Sequence, residues 1–184
     1  MADSDRCRRP RHNVYCFVRY RIFRISVHGS KRKISQLTIN LFRFSLFLFA
    51  IVGLGLFLMG CLYLSLDEFM PYHAEALQKD WSALEPNSQG LILGLLKGLG
   101  GGAFICGLAI LFMTGSSLRK TPRPFIVLLP LTAIGYSALL CYATFTVYVK
   151  TPGDPPLLLT FALFAASVLA SLALAISQFN SANN

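Results

Sequence analysis

The segment FSLFLFAIVGLGLFLMGCLYLSL, residues 44–66, decides the fold because its 23 residues carry no charge. As an α-helix this length rises about 34 Å, which is enough to cross a hydrocarbon core of about 30 Å. Three more apolar blocks follow, at about 88–118, 125–149 and 157–179. The pattern predicts an all-α, polytopic membrane protein with four transmembrane helices.

The composition also indicates a membrane protein. The chain is 54% hydrophobic and 14% charged, with a mean hydropathy of +0.57, whereas a soluble domain keeps about a quarter of its residues charged. The formal net charge of +9 does not predict binding to nucleic acid. Eleven of the seventeen lysines and arginines lie at or before Arg43, which is typical of a membrane protein with a basic cytoplasmic end.

The distribution of charge predicts the orientation. With the amino end in the cytoplasm, the inner segments hold fourteen of the seventeen basic residues, and the outer segments hold six of the eight acidic residues. The positive-inside rule then places both termini in the cytoplasm. Residues 1–43 are expected to form a basic, poorly ordered arm, 44–179 the transmembrane domain and 180–184 a short tail. Attraction of the arm to anionic lipid is the alternative.

The acidic segment between the first two blocks predicts a short amphipathic helix on the outer surface. Pro71 suits the first turn of a helix. Apolar and aromatic side chains then recur at helical spacing, at Met70, His73, Leu77, Trp81 and Leu84.

Small residues on two of the blocks predict where helices pack. Three glycines of the second block recur every four residues, at Gly94, Gly98 and Gly102. The fourth block repeats alanines in the same way, at Ala162, Ala166 and Ala170. Such stripes let helix backbones approach closely in lipid.

Few polar residues are candidates for chemistry. Lys97 lies within an apolar block, where a charge suggests a pathway, but the 21 uncharged residues beyond it already span the bilayer and let it reach the outer interface. His73, Glu75 and Trp81 are the other candidates for a pathway or interface. His73 and Glu75 point in different directions on a helix and no second histidine follows, so neither a metal nor a cofactor is predicted.

Motifs for catalysis are missing from the sequence. The five cysteines form no C-x-x-C pair, and neither a Walker loop, a G-x-S-x-G elbow nor an H-E-x-x-H sequence occurs. None of the four apolar blocks contains Asp or Glu. These features favour a protein that is not an enzyme.

One stretch resembles a known group of proteins. The residues that carry the resemblance are Met70–Ala74, Trp81, Leu84, Pro86, Gln89 and Gly98–Gly102. They are similar to a pattern in small bacterial inner-membrane proteins with four helices and no assigned activity. The resemblance covers about residues 44–179, and it implies a bacterial origin and an inner-membrane location.

Three functions remain open from the sequence. The leading prediction is an accessory or assembly protein whose partners are the lipid bilayer and either a second copy or another membrane protein. The alternatives are a subunit of a small-molecule carrier or channel, and a membrane enzyme with an outward-facing metal site.

Overall fold

The computed structural model describes residues 13–119 and 123–182, and the surroundings of side chains at 36–119 and 124–182. Five α-helices and one 3₁₀ turn make up this part of the chain, without a β-strand. Their bounds are α1 Asn13–Leu64, α2 Pro71–Leu77, the 3₁₀ turn Trp81–Ala83, α3 Pro86–Arg119, α4 Arg123–Lys150 and α5 Leu157–Ala182.

Four segments are long and apolar enough to cross a membrane. They are Gln36–Leu64, Pro86–Arg119, Pro124–Lys150 and Leu157–Ala182. The predicted all-α fold with four transmembrane helices and a short additional helix is confirmed. Helices α3 and α4 extend one or two residues beyond the predicted block at both ends, and α5 extends three residues at its end. Helix α1 begins before its block and ends two residues short of it, at Leu64.

The poorly ordered arm expected at residues 1–43 stays a prediction. Helix α1 begins at Asn13 and continues without a break into the first span. Residues 1–12 lie outside the described residues. From Asn13 the sequence mixes arginines with aromatic and β-branched residues, and it contains neither glycine nor proline before Gly29.

The four spans form a ring in the order α1, α3, α4, α5. Helix α1 makes its most extensive contacts with α3 and then with α5, while α4 packs on α5 and more lightly on α3. Alternating directions bring α2 and the α4–α5 loop to one end, here named the cap end, and residues 36 and 182 to the other, the terminal end. The side chains of the central core include Phe49, Leu56, Ile110 and Leu129.

Glycines allow α1 and α3 to touch backbone to backbone. A Cβ on Gly60 would overlap the main chain of Phe104, and one on Gly107 would overlap the main chain of Phe57. A Cβ on Gly100 would lie 2.6 Å from that of Tyr63. Because lipid gives helices no hydrophobic drive to associate, this close van der Waals approach is a main source of stability for the pair.

Hydroxyl groups join α4 to α5. Ser137 donates a hydrogen bond to the backbone oxygen of Ala133 at 2.6 Å, and its Oγ lies 3.2 Å from Oγ of Ser167. Both serines are fully buried. Pro130 is accommodated inside α4 in its second turn, so the helix begins before the proline rather than at it.

Helix α2, here named the cap helix, is shorter than the helix that the spacing of apolar residues predicted. Pro71 occupies its first turn as expected, and the helix ends at Gln78, which adopts a left-handed conformation with φ 53°. The amide of Lys79 then bonds the oxygen of Ala74 at 3.2 Å, which closes the last turn. The remaining residues of the predicted amphipathic face, Trp81 and Leu84, lie in the 3₁₀ turn or directly after it. The predicted face is therefore divided between two short elements.

Candidate binding site at the cap end

An aromatic cluster holds the cap, which comprises α2 and the 3₁₀ turn, on the bundle. Phe69 is buried and its ring meets that of Trp81 edge to face, with centroids 5.0 Å apart. Tyr63 of α1 and Leu96 of α3 complete the buried part of this cluster. The cap is therefore anchored on the two helices that cross most closely.

The loop between α4 and α5 holds the cap from the opposite side. Gly153 is buried, and a Cβ at this position would lie 2.5 Å from the backbone oxygen of Tyr72 and 2.9 Å from the Cβ of Ala76. Only glycine fits so close to another backbone. Helix α2 is thus clamped between the α4–α5 loop and the end of α1.

An apolar cavity of about 190 Å³ lies beneath the cap. All four spans and α2 contribute to its walls, with most of the lining from α1, α4 and α5. Leu140 and Leu163 belong both to this lining and to the central core, so they form the floor of the cavity. Below them the bundle is filled by side chains.

Two tyrosines bring polar atoms to the cavity. The hydroxyl groups of Tyr63 and Tyr72 are 2.5 Å apart, and both residues line the cavity. Burial, together with the hydrogen bond between Tyr72 and Tyr63, raises the pKa of Tyr72 above its usual range. The phenol of Tyr72 therefore remains protonated, and the two hydroxyl groups of the pair share one mutual bond.

His73 adds a third polar group to the lining. The amide of Met70 donates to Nδ1 of His73 at 3.2 Å, which requires a lone pair on Nδ1 and places the proton of the neutral ring on Nε2. Burial lowers the pKa of His73 below its ordinary value, so the neutral ring prevails at pH 7. The same contact caps the first turn of α2.

The cavity is suited to binding a small apolar molecule with a hydrogen-bond acceptor. The two threonines in its lining already donate to their own helices, Thr144 to Leu140 and Thr160 to Leu157. The tyrosine pair and His73 remain as the donors.

The structure brings only some of the residues predicted for a pathway or an interface to the cavity or next to it. His73 enters the cavity and Trp81 joins the adjoining aromatic cluster, whereas Lys97 and Glu75 are exposed and line no part of the cavity. Across residues 36–119 and 124–182, no three His, Cys, Asp or Glu side chains come together as metal ligands.

Within the two predicted packing stripes, some residues contact a neighbouring helix and others do not. No atom of a neighbouring element lies within 4 Å of the position for a Cβ on Gly94 or Gly98, whereas Gly102 faces the ring of Tyr136. Tyr136 also donates to the oxygen of Leu99 at 2.8 Å. On α5, Ala170 is fully buried and Ala166 packs against the core, but Ala162 is exposed.

Sequence reasoning missed the residues that make the closest contacts. The glycines at the α1–α3 crossing are spaced by seven, Gly53 with Gly60 and Gly100 with Gly107. A search for small residues at a spacing of seven on two helices would have found them, because that spacing keeps one seam in register. Nothing local in the sequence marks Tyr63 or Gly153, whose partners are supplied by the fold.

Comparison of the chain with protein-family models, with curated proteins and with solved structures gives no match. The fold itself defines the class. This is a multi-pass membrane protein whose four spanning helices are closed at one end by a short helical cap.

Proposed function

We propose that the chain is a non-enzymatic accessory or assembly protein of a bacterial inner membrane, with both termini in the cytoplasm. The location follows from the resemblance of residues 44–179 to small bacterial inner-membrane proteins. The orientation is supported by the basic residues, since three lie in the segments of the cap end and fourteen in those of the terminal end.

The surface of α3 carries the assembly proposal. Gly90, Gly94 and Gly98 lie on the side of α3 opposite its buried residues, and no neighbouring element lies within 4 Å of a Cβ at any of them. In water each glycine costs a helix about 1 kcal/mol relative to alanine. A row of them on the outer face of a spanning helix suits close approach of a further helix. This row, Gly90–Gly94–Gly98, is named the outer glycine face.

The test is the assembly state of Gly98→Leu, measured by native mass spectrometry after mild extraction from the native membrane. We expect the wild-type chain to carry a second copy or another membrane protein, and Gly98→Leu to weaken that association about tenfold or more, which corresponds to about 1.4 kcal/mol. The matched control is Gly135→Leu, because Gly135 is also an exposed glycine without a neighbour within 4 Å.

Two results would contradict the assembly proposal. One is a wild-type chain that is monomeric and without a partner under these conditions. The other is equal association in Gly98→Leu and the wild type. Equal weakening by Gly98→Leu and Gly135→Leu would point to a general effect of added bulk and would remove the outer glycine face from the explanation.

The cavity at the cap end favours a second function, which is binding of a small molecule. It gives less support to passage through the bundle, because Leu140 and Leu163 close its floor and Lys97 lies outside it. The alternative of an outward-facing metal enzyme has no ligand cluster to support it within the described side chains.

A further inference from the structure

We propose that the cavity beneath the cap binds one end of a membrane-soluble molecule that has an apolar body and a carbonyl group. The proposal is independent of the outer glycine face, because the cavity lies on the inner side of the bundle. Three observations carry it, namely the size of the cavity, its unused hydrogen-bond donors and its lateral opening.

The size of the cavity selects a ring or a short chain segment. A dry apolar cavity of about 150 Å³ holds one benzene molecule, and this cavity measures about 190 Å³. Sites for whole drug-sized molecules are larger, about 300–1,000 Å³. The ligand therefore places only one end in the cavity and leaves the rest of its body outside.

Hydrogen-bond arithmetic predicts that the bound end carries an acceptor. Tyr63 and Tyr72 have two O–H groups and share one bond, so one proton of the pair has no protein acceptor among the described residues. His73 has Nε2–H to donate once Nδ1 has accepted from Met70. An unused donor in an apolar site costs free energy. A carbonyl oxygen satisfies these donors, whereas a hydrocarbon does not.

The walls of the cavity open toward the lipid. Leu62, Ala143 and Leu159 line the cavity and are also exposed on the outside of the bundle. Each belongs to a different spanning helix, and each lies within about two turns of that helix's end at the cap end. A molecule dissolved in the membrane can therefore place one end inside while its apolar tail remains in lipid.

Two kinds of membrane molecule supply a carbonyl on an apolar body. One is the ring of a quinone, and the other is the acyl ester of a phospholipid. Both offer an oxygen that accepts hydrogen bonds from Tyr and His, and a part of either is small enough for the cavity. The experiment below distinguishes them.

Binding of a quinone is measured with the full chain in nanodiscs of phosphatidylethanolamine and phosphatidylglycerol, by quenching of Trp81 fluorescence with a decyl-tailed benzoquinone. Trp81 is the single tryptophan and packs on Phe69 beside the cavity. We expect saturable quenching, weakened about tenfold or more by Ala143→Phe, which fills the cavity. Leu139→Phe is the matched control, since Leu139 lies on the same helix, is 66% exposed and does not line the cavity.

Binding of a phospholipid is measured by native mass spectrometry of the delipidated protein. It is supplied either with a phosphatidylglycerol that has ester-linked chains or with its ether-linked analogue, which lacks the carbonyl groups. Retention of the ester lipid over the ether lipid, lost in Ala143→Phe and kept in Leu139→Phe, assigns the site to the acyl ester. Saturable quenching that depends on Ala143 assigns it to the quinone.

Two further variants keep the test decisive if Ala143→Phe does not fold. His73→Phe and the double variant Tyr63→Phe with Tyr72→Phe preserve the aromatic rings and each remove the unused donor of their group, so each is expected to weaken binding of the molecule about tenfold. Folding of every variant is checked by circular dichroism. The proposal is overturned if neither molecule binds the wild type more tightly than it binds the folded cavity and donor variants.

Discussion

Replacing Gly107 with alanine is expected to lower the free energy of unfolding by about 2 kcal/mol. The new Cβ would overlap the backbone nitrogen of Phe57 and lie 2.7 Å from the backbone oxygen of Gly53. Backbone atoms cannot rotate away, so α1 and α3 must separate along their most extensive contact. Overpacking costs about 1–3 kcal/mol, and an overlap with backbone atoms belongs at the upper end of this range. The gain in helix propensity offsets about 1 kcal/mol of that cost.

The measurement is a reversible unfolding titration in mixed micelles, followed by circular dichroism. Gly135→Ala is the matched control, because no neighbouring element lies within 4 Å of its Cβ position, and we expect this variant to be as stable as the wild type or slightly more stable. Unfolding free energies for the two variants that agree within about 0.5 kcal/mol would show that α1 and α3 do not cross at these glycines.

Replacing Gly153 with alanine is expected to release the cap while leaving the four spans folded. The added Cβ would lie 2.5 Å from the backbone oxygen of Tyr72 and 3.0 Å from the backbone nitrogen of Ala76. Helix α2 must then move away from the α4–α5 loop, which also separates the hydroxyls of Tyr72 and Tyr63. This overlap costs about 1–3 kcal/mol, so the free energy needed to open α2 falls. Hydrogen exchange of the α2 amides should therefore speed up about tenfold or more.

Hydrogen exchange followed by mass spectrometry resolves this effect by segment. Peptides from α2 should exchange faster, and those from the middle of α1 and α5 should not change. Gly90→Ala is the control at the same end of the bundle, since its Cβ position has no neighbour within 4 Å. Unchanged exchange of α2 in Gly153→Ala, or faster exchange throughout the chain, would contradict the clamp.

The number of spans could be predicted because the thickness of the bilayer sets the length of apolar sequence that each span needs. A helix must cover about 30 Å of hydrocarbon with apolar side chains, and residues 44–66 satisfy that condition alone. The short helix of the cap was predicted from Pro71 and the spacing of its apolar residues. Its end at Leu77 was not, because Gln78 adopts a left-handed conformation that glycine or asparagine adopts more readily.

The interior contacts were harder to predict from the sequence. A stripe such as Gly94 and Gly98 shows that close approach is possible but does not identify the partner. The structure uses Gly100 and Gly107 inside the protein and leaves the outer glycine face without a neighbour. Which of two glycine rows turns inward depends on the rotation of the whole helix, and that rotation is fixed by the large side chains packed around it.

The cavity could not be predicted because its parts are distant in sequence. His73 was a candidate on its residue type alone, and Tyr72 was not among the candidate site residues. Their position over a cavity depends on Gly153, some eighty residues later, and on Tyr63 of the first span. The tyrosine pair and the neutral imidazole become a set of donors only when these elements meet.

The whole account depends on the proposed sidedness of the four spans. Labelling of single cysteines tests this sidedness most directly. In a chain whose five native cysteines are replaced by alanine, a cysteine is placed at Gln78 of the cap or at Ser181 near the end of α5, both exposed positions. Spheroplasts are then treated with a maleimide that does not cross membranes. The account predicts labelling of Gln78→Cys in intact spheroplasts and of Ser181→Cys only after permeabilisation. Labelling of both positions from the same side, or the reverse order, would contradict it.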